Sequence, residues 1–270
     1  MRAEAVARIT RLYPFNSGCG TLANHPVVDA LAGRPKGDAW AKVEGGRLLV
    51  SLEDHVGRAA FYVGDLDRKI SVLIDRFVKP GETVLDIGAN VGLVSLRLSK
   101  RVGFEGIVHA FEPNPSVSSR LVSSLEANGV TNVRLHQVAL GDVPGILRLS
   151  VPEGNAGAAS LIAGRVSGEI CDVPVKRLDD FDFGPISFVK IDVEGFEENV
   201  LRGFSRTLSS RPPRIILFEQ NDPSGFSIRL LEEAGYRIFG VAKSLLRLGL
   251  RPVSSWNPAY NDYLAVADRG

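Results

Sequence analysis

Apolar residues change their spacing along the chain, and these changes predict its secondary structure. Between residues 82 and 142, short apolar runs alternate with stretches whose apolar residues recur every three or four positions. Such alternation predicts strands separated by helices, and therefore βαβ units with a parallel sheet. The predicted strands are Thr83–Ile87, Ile107–Phe111 and Val133–Val138, and the predicted helices are Gly92–Arg101 and Pro115–Asn128.

The alternation stops over residues 145–180 and then resumes. Three short pieces separated by glycines predict an antiparallel insertion at about residues 145–175: Ile146–Val151, Ser160–Ile162 and Asp172–Val175. Beyond it, the pattern predicts strands Ser187–Ile191, Ile215–Glu219, Tyr236–Val241 and Tyr263–Val266, and helices Glu197–Phe204 and Ser227–Ala234. We therefore expect an α/β fold with about seven mostly parallel strands and an antiparallel C-terminal edge strand.

The first 80 residues lack this regularity because prolines and glycines interrupt them repeatedly. Short apolar pieces at Arg47–Leu52 and Ala59–Val63 predict strands, and the periodic stretch Lys69–Val78 predicts a helix. We expect residues 1–80 to form a β-containing N-terminal extension and cap, and residues 81–270 to form the main α/β domain.

Composition and charge exclude several classes of function. Of the 270 residues 44% are hydrophobic, and 32 Lys and Arg against 31 Asp and Glu give a net charge of +1. This balance gives no reason to expect a nucleic-acid partner. No apolar stretch is long enough to span a membrane, and Glu4 and Arg8 interrupt any signal-peptide core. We expect a cytoplasmic protein without stable membrane insertion, compatible with a homo-oligomer.

The most informative motif is the turn that follows the first predicted strand of the sheet, VLDIGANVG at residues 84–92. At the carboxyl end of a strand in a doubly wound sheet, such a turn is the expected cofactor site. Its glycines follow a GxxxG pattern and not the GxGxxG pattern of dinucleotide loops. The carboxylate of Asp86 disfavours a pyrophosphate and favours a cationic group, which the ammonium of S-adenosylmethionine provides. Gly88 allows the backbone to approach the ligand closely, and Asn90 lies in the same turn.

Two further strand ends carry residues suited to a nucleoside. Glu112 ends the second strand, where a carboxylate can accept hydrogen bonds from both ribose hydroxyls, and Asn114 follows it. Beyond the third strand, we expect Leu140 to line the adenine ring and Asp142 to accept a hydrogen bond from its amino group. An alternative for Asp142 is an ordinary turn residue or helix cap. Together with the glycine turn, these residues form the predicted cofactor-binding set.

These motifs resemble the FkbM family of S-adenosylmethionine-dependent methyltransferases over roughly residues 45–240. The resemblance is carried by VLDIGANVG (84–92), AFEPNP (110–115), VALGD (138–142), VKRLDDF (175–181) and FVKIDVEGFEENVLRG (188–203). It implies the Rossmann-like fold of class I methyltransferases and S-adenosyl-L-methionine as the cofactor. Because the family typically methylates hydroxyl groups of sugars, polyketides and other specialised metabolites, it also implies an O-methyltransferase with a small-molecule hydroxyl acceptor.

The last of these segments supplies the candidate catalytic residues. Asp192 and Glu194 stand two positions apart at the end of a strand, so in extended chain both side chains point to the same side. Asp192 can hold the acceptor hydroxyl and take its proton, while Glu194 orients the acceptor or the cofactor. Two alternatives remain open. Glu194 can serve as the N-terminal acid of the following helix, and both carboxylates can join Glu219 and Asn221 in a less favoured Mg²⁺ site.

Other residues are candidates for binding the acceptor. Glu219 and Asn221 follow the fifth strand of the sheet, and His55 lies in a predicted hairpin turn of the N-terminal extension. Residues 243–251 carry three cations at a spacing of four among leucines, which predicts a lid helix over the sheet edge. Two alternative functions remain: a non-catalytic cofactor-binding partner subunit and, less favoured because GxGxxG is absent, an NAD-dependent oxidoreductase.

Overall fold

The N-terminal part of the chain folds into helices and one β-hairpin. The structure is a computed structural model and describes residues 2–152, 159–162, 168–242 and 248–268. The N-terminal elements are α1 (Arg2–Thr10), α2 (Cys19–Ala23), α3 (Pro26–Ala32), β1 (Asp38–Val43), β2 (Gly46–Ser51), α4 (His55–Tyr62) and α5 (Arg68–Phe77). Strands β1 and β2 pair antiparallel and bury Leu48 and Val50 completely. This confirms the predicted strand at Arg47–Leu52.

One predicted strand of this region is a helix. The sequence predicts a strand at Ala59–Val63, but helix α4 covers all but the last of these residues. The side chain of Asp54 starts the helix by accepting hydrogen bonds from the backbone N–H groups of Val56, at 2.8 Å, and of the next residue. His55 therefore occupies the first helical turn and not a hairpin turn. A short, fully apolar run does not distinguish a buried helix from a buried strand.

From residue 83 onward, strands and helices alternate as predicted. The elements are β3 (Thr83–Ile87), α6 (Leu93–Val102), β4 (Ile107–Phe111), α7 (Pro115–Ala127), β5 (Val133–His136), β6 (Ala139–Leu140), β7 (Gly145–Pro152), β8 (Gly168–Lys176), β9 (Phe188–Ile191), α8 (Glu197–Arg202), α9 (Ser205–Ser210), β10 (Ile215–Glu219), α10 (Phe226–Glu233), β11 (Tyr236–Ala242), β12 (Gly249–Pro252) and β13 (Asp262–Ala267). The predicted helix Glu197–Phe204 corresponds to α8, which ends two residues earlier, and the short helix α9 that follows it was not predicted.

In the described residues, the central sheet has eight strands in the order β5-β4-β3-β9-β10-β13-β11-β12. Strands β5, β4, β3, β9 and β10 are parallel to one another. The strand order reverses beside β3, because the chain builds outward to β5 on one side and to β9 and β10 on the other. This arrangement confirms the predicted Rossmann-like α/β fold of the class I methyltransferases.

The C-terminal strand is antiparallel as predicted, but it does not lie at the edge. Strand β13 lies between β10 and β11, and β12 forms the edge instead. Tyr263, Leu264 and Ala265 are fully buried. Because consecutive residues of a strand point to opposite faces of the sheet, both faces of β13 must be covered, as they are for a strand inside the sheet. Residues 249–251, predicted as part of a lid helix, belong to this edge strand. Residues 243–247 of that prediction lie outside the described residues.

The predicted antiparallel insertion forms a separate three-stranded sheet in the order β6-β8-β7. Strand β7 pairs antiparallel with β8 along its whole length, and β6 pairs parallel with β8. Of the predicted piece Ser160–Ile162, Ser160 forms a single bridge to Ser150. Leu149 and Val173 are buried in the small core of this sheet. The insertion thus stands beside the central sheet as an additional wall.

The main core lies on both faces of the central sheet. Alternate residues of β3 serve opposite faces, since Leu85 and Ile87 pack with one group of buried residues and Val84 packs with another. Helices cover both groups, which is the arrangement that a parallel sheet requires. Across the described ranges, no helix combines the length and the apolarity needed to cross a bilayer.

Candidate active site

A cavity of about 350 Å³ opens at the carboxyl end of the central sheet. The register of the parallel strands places Ile87, Phe111 and Ile191 side by side, and Ile191 pairs in turn with Phe218. The residues that follow these strand ends therefore meet at one edge of the sheet, where the strand order reverses. The polar side chains that they contribute to the cavity wall are Asn90, Glu112, Asp192, Glu194 and Glu219.

The turn after β3 brings its backbone close to the end of β9. Gly88 adopts a φ of +76°, and a Cβ atom at this position would lie 1.8 Å from the carbonyl oxygen of Asp192. The N–H groups of Gly88 and Ala89 donate to the carbonyl oxygen of Phe111, at 3.0 and 2.9 Å. Neighbouring strands thus fix the turn on both sides. Only glycine permits this approach, and its backbone lines the cavity as the sequence predicts.

Glu112 lines the cavity although it is largely buried. One carboxylate oxygen accepts a hydrogen bond from the backbone N–H of Asn90, at 2.9 Å, and the other from that of Asn114, at 2.8 Å. Burial raises the pKa of Glu112 to about 7, against the opposing effect of these two hydrogen bonds. Each oxygen keeps a further lone pair, so Glu112 can still accept hydrogen bonds from a ligand.

The predicted cofactor residue Asp86 does not line the cavity. It is fully buried, and one carboxylate oxygen accepts a hydrogen bond from the hydroxyl of Ser95 on α6, at 2.6 Å. The other oxygen lies 3.6 Å from the Nζ of Lys190. Asp86 therefore forms an ion pair beneath the cavity, because β3 directs this side chain toward α6.

Lys190 connects three parts of the site. Its Nζ donates to the carbonyl oxygen of Gly88 at 2.8 Å and lies 3.4 Å from a carboxylate oxygen of Asp192. Burial alone would lower the pKa of Lys190, but the carboxylates of Asp192 and Asp86 outweigh it and leave the pKa raised. Protonated Lys190 therefore holds the glycine turn and Asp192 in place together.

Asp192 and Glu194, the predicted catalytic pair, both line the cavity. The side chain of Asp192 is 48% exposed, so a ligand can reach it. The chain is not extended here as expected, since Glu194 adopts a φ of +54°. The carboxylate of Glu197 stabilises the turn by accepting hydrogen bonds from the N–H groups of Val193 and Gly195, at 3.0 and 3.1 Å. Glu197 and Glu198, and not Glu194, are the acids in the first turn of α8.

Glu219 lines the cavity at the end of β10, opposite Asp262 on β13. Burial and, second, the carboxylate of Asp192 raise the pKa of Glu219 to about 8. Glu219 therefore carries a proton near neutral pH and can donate a hydrogen bond. Asn221 is exposed outside the cavity wall, and its side chain hydrogen-bonds to Glu219. Its predicted role in acceptor binding is therefore limited to an indirect one.

Three further predicted cofactor residues divide between the cavity and the framework. Leu140 lines the cavity. Asp142 lies outside the cavity wall and accepts a hydrogen bond from the side-chain amide of Asn199, at 3.0 Å. Asn114 is the N-cap of α7, where its side chain accepts a hydrogen bond from the N–H of Ser116, at 3.1 Å. The side chains of Asp142 and Asn114 thus form hydrogen bonds within the fold, and neither residue lines the cavity.

His55 lines the cavity from the first turn of α4, and helix α2 packs closely against it. A Cβ atom at Gly20 of that helix would lie 2.8 Å from Nε2 of His55. The absence of a side chain at Gly20 therefore makes room for the imidazole. His55 therefore lines the cavity, but it does so from a helix and not from the predicted hairpin turn.

Several acids of the cavity wall were not found by sequence reasoning, among them a pair that shares one lysine. Asp67 and Asp262 line the cavity, and the Nζ of Lys69 lies 3.0 Å from a carboxylate oxygen of each. Burial lowers the pKa of Lys69, but both carboxylates outweigh this effect and leave it raised. No sequence motif joins Lys69 to Asp262, because β13 approaches α5 only in the folded sheet.

A metal site is not supported by the geometry. In the part of the chain that the structure describes, no three His, Cys, Asp or Glu side chains form a group that could hold a metal ion. The Nζ of Lys190 lies beside Asp192, where it competes with any cation for the same carboxylate. The Mg²⁺ alternative at Asp192, Glu194, Glu219 and Asn221 therefore has no structural support among these residues.

Similarity to known proteins is found in sequence and in structure. Residues 86–238, more than half of the chain, match the family model described as the methyltransferase FkbM domain. Methyltransferase 1 from Beauveria bassiana is 28% identical over 143 residues, which cover 44% of this chain and 57% of that protein. The solved FkbM methyltransferase from Methylobacillus flagellatus has a TM-score of 0.47 and 16% identity, covering 77% of this chain and 54% of its own.

A solved S-adenosylmethionine-dependent O-methyltransferase from Thermotoga maritima is also similar in structure. It has a TM-score of 0.49 and 16% identity, and the match covers 90% of this chain and 82% of the other. By contrast, this chain spans little more than half the length of the Beauveria and Methylobacillus proteins.

Proposed function

The chain belongs to the FkbM family of methyltransferases, and from this premise we propose that it is an S-adenosylmethionine-dependent O-methyltransferase. The proposed acceptor is a hydroxyl group of a sugar, a glycosylated metabolite or a polyketide-like small molecule. The observation that supports this most is the buried carboxylate of Glu112, which faces the same cavity as Asp192. One cavity thus offers an acceptor of ribose hydrogen bonds and an acceptor for a proton.

The residues of this cavity fit S-adenosylmethionine. Glu112 keeps lone pairs for the ribose hydroxyls, and Phe111 and Leu140 provide apolar surface beside it for an adenine ring. At Gly88 the backbone itself forms the wall, which permits close contact with a ligand. The carboxylate of Glu194 suits a cationic methionine end. When bound, this cofactor supplies an electrophilic methyl group on a sulfonium sulfur.

Asp192 is the residue that we expect to take the proton of the acceptor hydroxyl. It is reachable from the cavity, and the ion pair with Lys190 fixes its position. Proton transfer to a positioned carboxylate during formation of the new O–C bond avoids a free alkoxide. Glu219, which is protonated near neutral pH, can donate a hydrogen bond to another oxygen of the acceptor. Together, these two residues align the hydroxyl for an in-line displacement.

We expect S-adenosylhomocysteine to bind more weakly as the pH falls below about 7. The pKa of Glu112 is about 7 in the free protein. Ribose hydroxyls donate to the charged carboxylate, so binding at lower pH requires the loss of a proton. The affinity should fall by up to about tenfold per pH unit below 7 and become constant above it. Titration calorimetry between about pH 5 and about pH 8.5 measures this dependence.

The variant Glu112→Gln provides the control for this profile. Glutamine has nearly the same shape but releases no proton, so the slope below neutral pH should disappear. Its NH₂ group also opposes one of the backbone donors, from Asn90 or Asn114, so the affinity at high pH should drop by about tenfold or more. Absence of binding to the intact protein at every pH contradicts the proposed function. An unchanged slope in Glu112→Gln contradicts the role of this residue.

We expect Asp192→Asn to lose methyl transfer while it keeps cofactor binding. An amide cannot accept the hydroxyl proton, so the rate should fall by at least about 100-fold. The fold should persist, because Lys190 retains its ion pair with buried Asp86. Radiolabelled methyl transfer to a panel of sugars and glycosylated metabolites measures the rate, and calorimetry with S-adenosylhomocysteine measures cofactor binding.

Asp142→Asn is the matched control for this experiment. It makes the same chemical change at another residue beyond a strand end, but Asp142 lies outside the cavity wall and pairs with Asn199. Its transfer rate should stay near that of the unmodified protein. Equal rates in Asp192→Asn and Asp142→Asn would show that Asp192 is not the proton acceptor. Cofactor binding without any methyl transfer by the unmodified protein would favour a non-catalytic partner subunit.

A further inference from the structure

A second cavity, of about 500 Å³, adjoins the first on the side of the N-terminal elements. The residues that line both cavities are Glu44, Gly64, Asp65, Ser71 and Arg97. The other residues that line the second cavity all lie within the first 72 positions of the chain. A molecule held in the first cavity can therefore extend into the second, where it meets a different set of side chains.

Arg11 lines this second cavity with a positive charge. Its guanidinium donates to the carbonyl oxygens of Lys42, Ala60 and Phe61. Within residues 2–152, 159–162, 168–242 and 248–268, it forms no ion pair with a carboxylate. Burial lowers the pKa of Arg11, so its surroundings disfavour the charged form. Carbonyl oxygens satisfy hydrogen bonds, but they supply no counter-charge.

Arg68 and Lys42 add two further charges of the same kind. Nη1 of Arg68 donates to the carbonyl oxygens of Tyr13 and Phe15. Its Nε and Nη2 groups remain available to a ligand, because no described residue accepts from them. The ammonium of Lys42 is exposed on β1 and forms no ion pair with any residue that the structure describes. Three cations therefore line one cavity, and none of them forms an ion pair with a carboxylate that the structure describes, although Asp65 attracts Arg68 at longer range.

The acids of this cavity do not balance the three cations. Glu44 is already neutralised by ion pairs with Arg97, at 2.7 Å, and Lys100, at 3.1 Å. Asp65 accepts a hydrogen bond from the hydroxyl of Ser71 at 2.6 Å, and burial raises its pKa. At most one negative charge thus stands against three positive ones. Guanidinium and ammonium groups that are not balanced by carboxylates form strong hydrogen bonds with phosphate and other oxyanions.

We propose that the second cavity binds an oxyanion carried by the acceptor, while the acceptor hydroxyl lies near Asp192 in the first cavity. The inference rests on the proposed function and narrows its substrate class to hydroxyl compounds with a phosphate, sulfate or carboxylate group. The two cavities have opposite character, because the strand ends around Asp192 and Glu219 are acidic. Because the oxyanion is attracted to the cationic cavity and repelled by the acidic one, such a molecule binds in one orientation only.

Inorganic pyrophosphate tests the site without knowledge of the acceptor. Titrated into protein saturated with S-adenosylhomocysteine, it should bind, and added salt should weaken its binding. Lys42→Glu should weaken pyrophosphate binding by about tenfold, since it reverses one of the three charges. The matched control is Lys79→Glu, which reverses the charge of an exposed lysine that lines neither cavity. The control should bind pyrophosphate as the unmodified protein does.

Competition experiments identify the oxyanion. Pyrophosphate should be displaced by glucose 6-phosphate, glucose 6-sulfate and glucuronate, and their relative affinities identify the preferred oxyanion. Glucose, which carries no oxyanion, should not displace it. The proposal is overturned if pyrophosphate does not bind protein that binds S-adenosylhomocysteine, or if Lys42→Glu and Lys79→Glu bind it equally. It is also overturned if Lys42→Glu loses S-adenosylhomocysteine affinity, because the cations then serve the cofactor. Absence of S-adenosylhomocysteine binding to the unmodified protein contradicts the proposed function itself.

Discussion

Replacing Gly88 with alanine should abolish cofactor binding. The new Cβ atom would lie 1.8 Å from the carbonyl oxygen of Asp192, so two backbone segments at the ends of adjacent strands must separate. The residue also has a φ of +76°, which costs about 1–3 kcal/mol for a residue with a side chain. A displacement of about 1 Å in a binding site can reduce function about 100-fold. Calorimetry with S-adenosylhomocysteine and urea unfolding measure the two effects.

Gly81→Ala separates backbone strain from the clash. Gly81 has a φ of +80°, nearly that of Gly88, but an added Cβ atom would meet nothing within 4 Å. This control should therefore lose stability from strain alone and should bind S-adenosylhomocysteine normally. If Gly88→Ala binds as well as Gly81→Ala does, the close approach of the two strand ends does not control the site.

The second large effect is expected for Lys190→Met. Methionine fills a similar volume but leaves Asp86 buried without a cation, and removing one partner of a buried ion pair costs about 3–5 kcal/mol. The carbonyl oxygen of Gly88 also loses its donor, so the cofactor turn is released. Urea unfolding should show the loss of stability, and calorimetry should show weaker binding of S-adenosylhomocysteine.

A double variant tests the cause of this loss. In Asp86→Asn combined with Lys190→Met, no buried charge is left unpaired, so the double variant should be more stable than Lys190→Met alone. The difference gives the coupling between the two residues. Strict additivity of the two substitutions would contradict the ion pair as the source of the effect.

For the parallel strands and their helices after residue 82, the sequence pattern was sufficient for the order of the elements but not for the direction of individual side chains. Asp86 was correctly assigned to a strand end, yet its side chain is directed to Ser95 and Lys190 beneath the cavity. Lys190 lies more than 100 positions away, so the pairing appears only once β3 and β9 are adjacent. Glu112 does line the cavity, because its position depends on a strand end alone.

Local hydrogen bonding explains the other errors. Asn114 precedes a proline at the start of α7, and its side chain serves as the helix cap instead of the cofactor. Asp142 pairs with Asn199, a contact that depends on how the insertion meets α8. The ion pair between Lys69 and Asp262, a residue that lines the cavity, was missed because it joins distant parts of the chain. The spacing of apolar residues shows which side chains share one face of a helix or strand. These contacts instead join different elements, so the spacing does not predict them.

The inner position of β13 has a consequence for the order in which the protein can be completed during synthesis. Strands β10 and β11 leave the ribosome before residues 262–267, so each presents an open edge until β13 inserts between them. Asp262, which forms an ion pair with Lys69, is the first residue of β13 and is therefore synthesised at the same stage. A nascent chain can therefore form the turn after β3 early, but β10 and β11 become part of one continuous sheet only when β13 has been made.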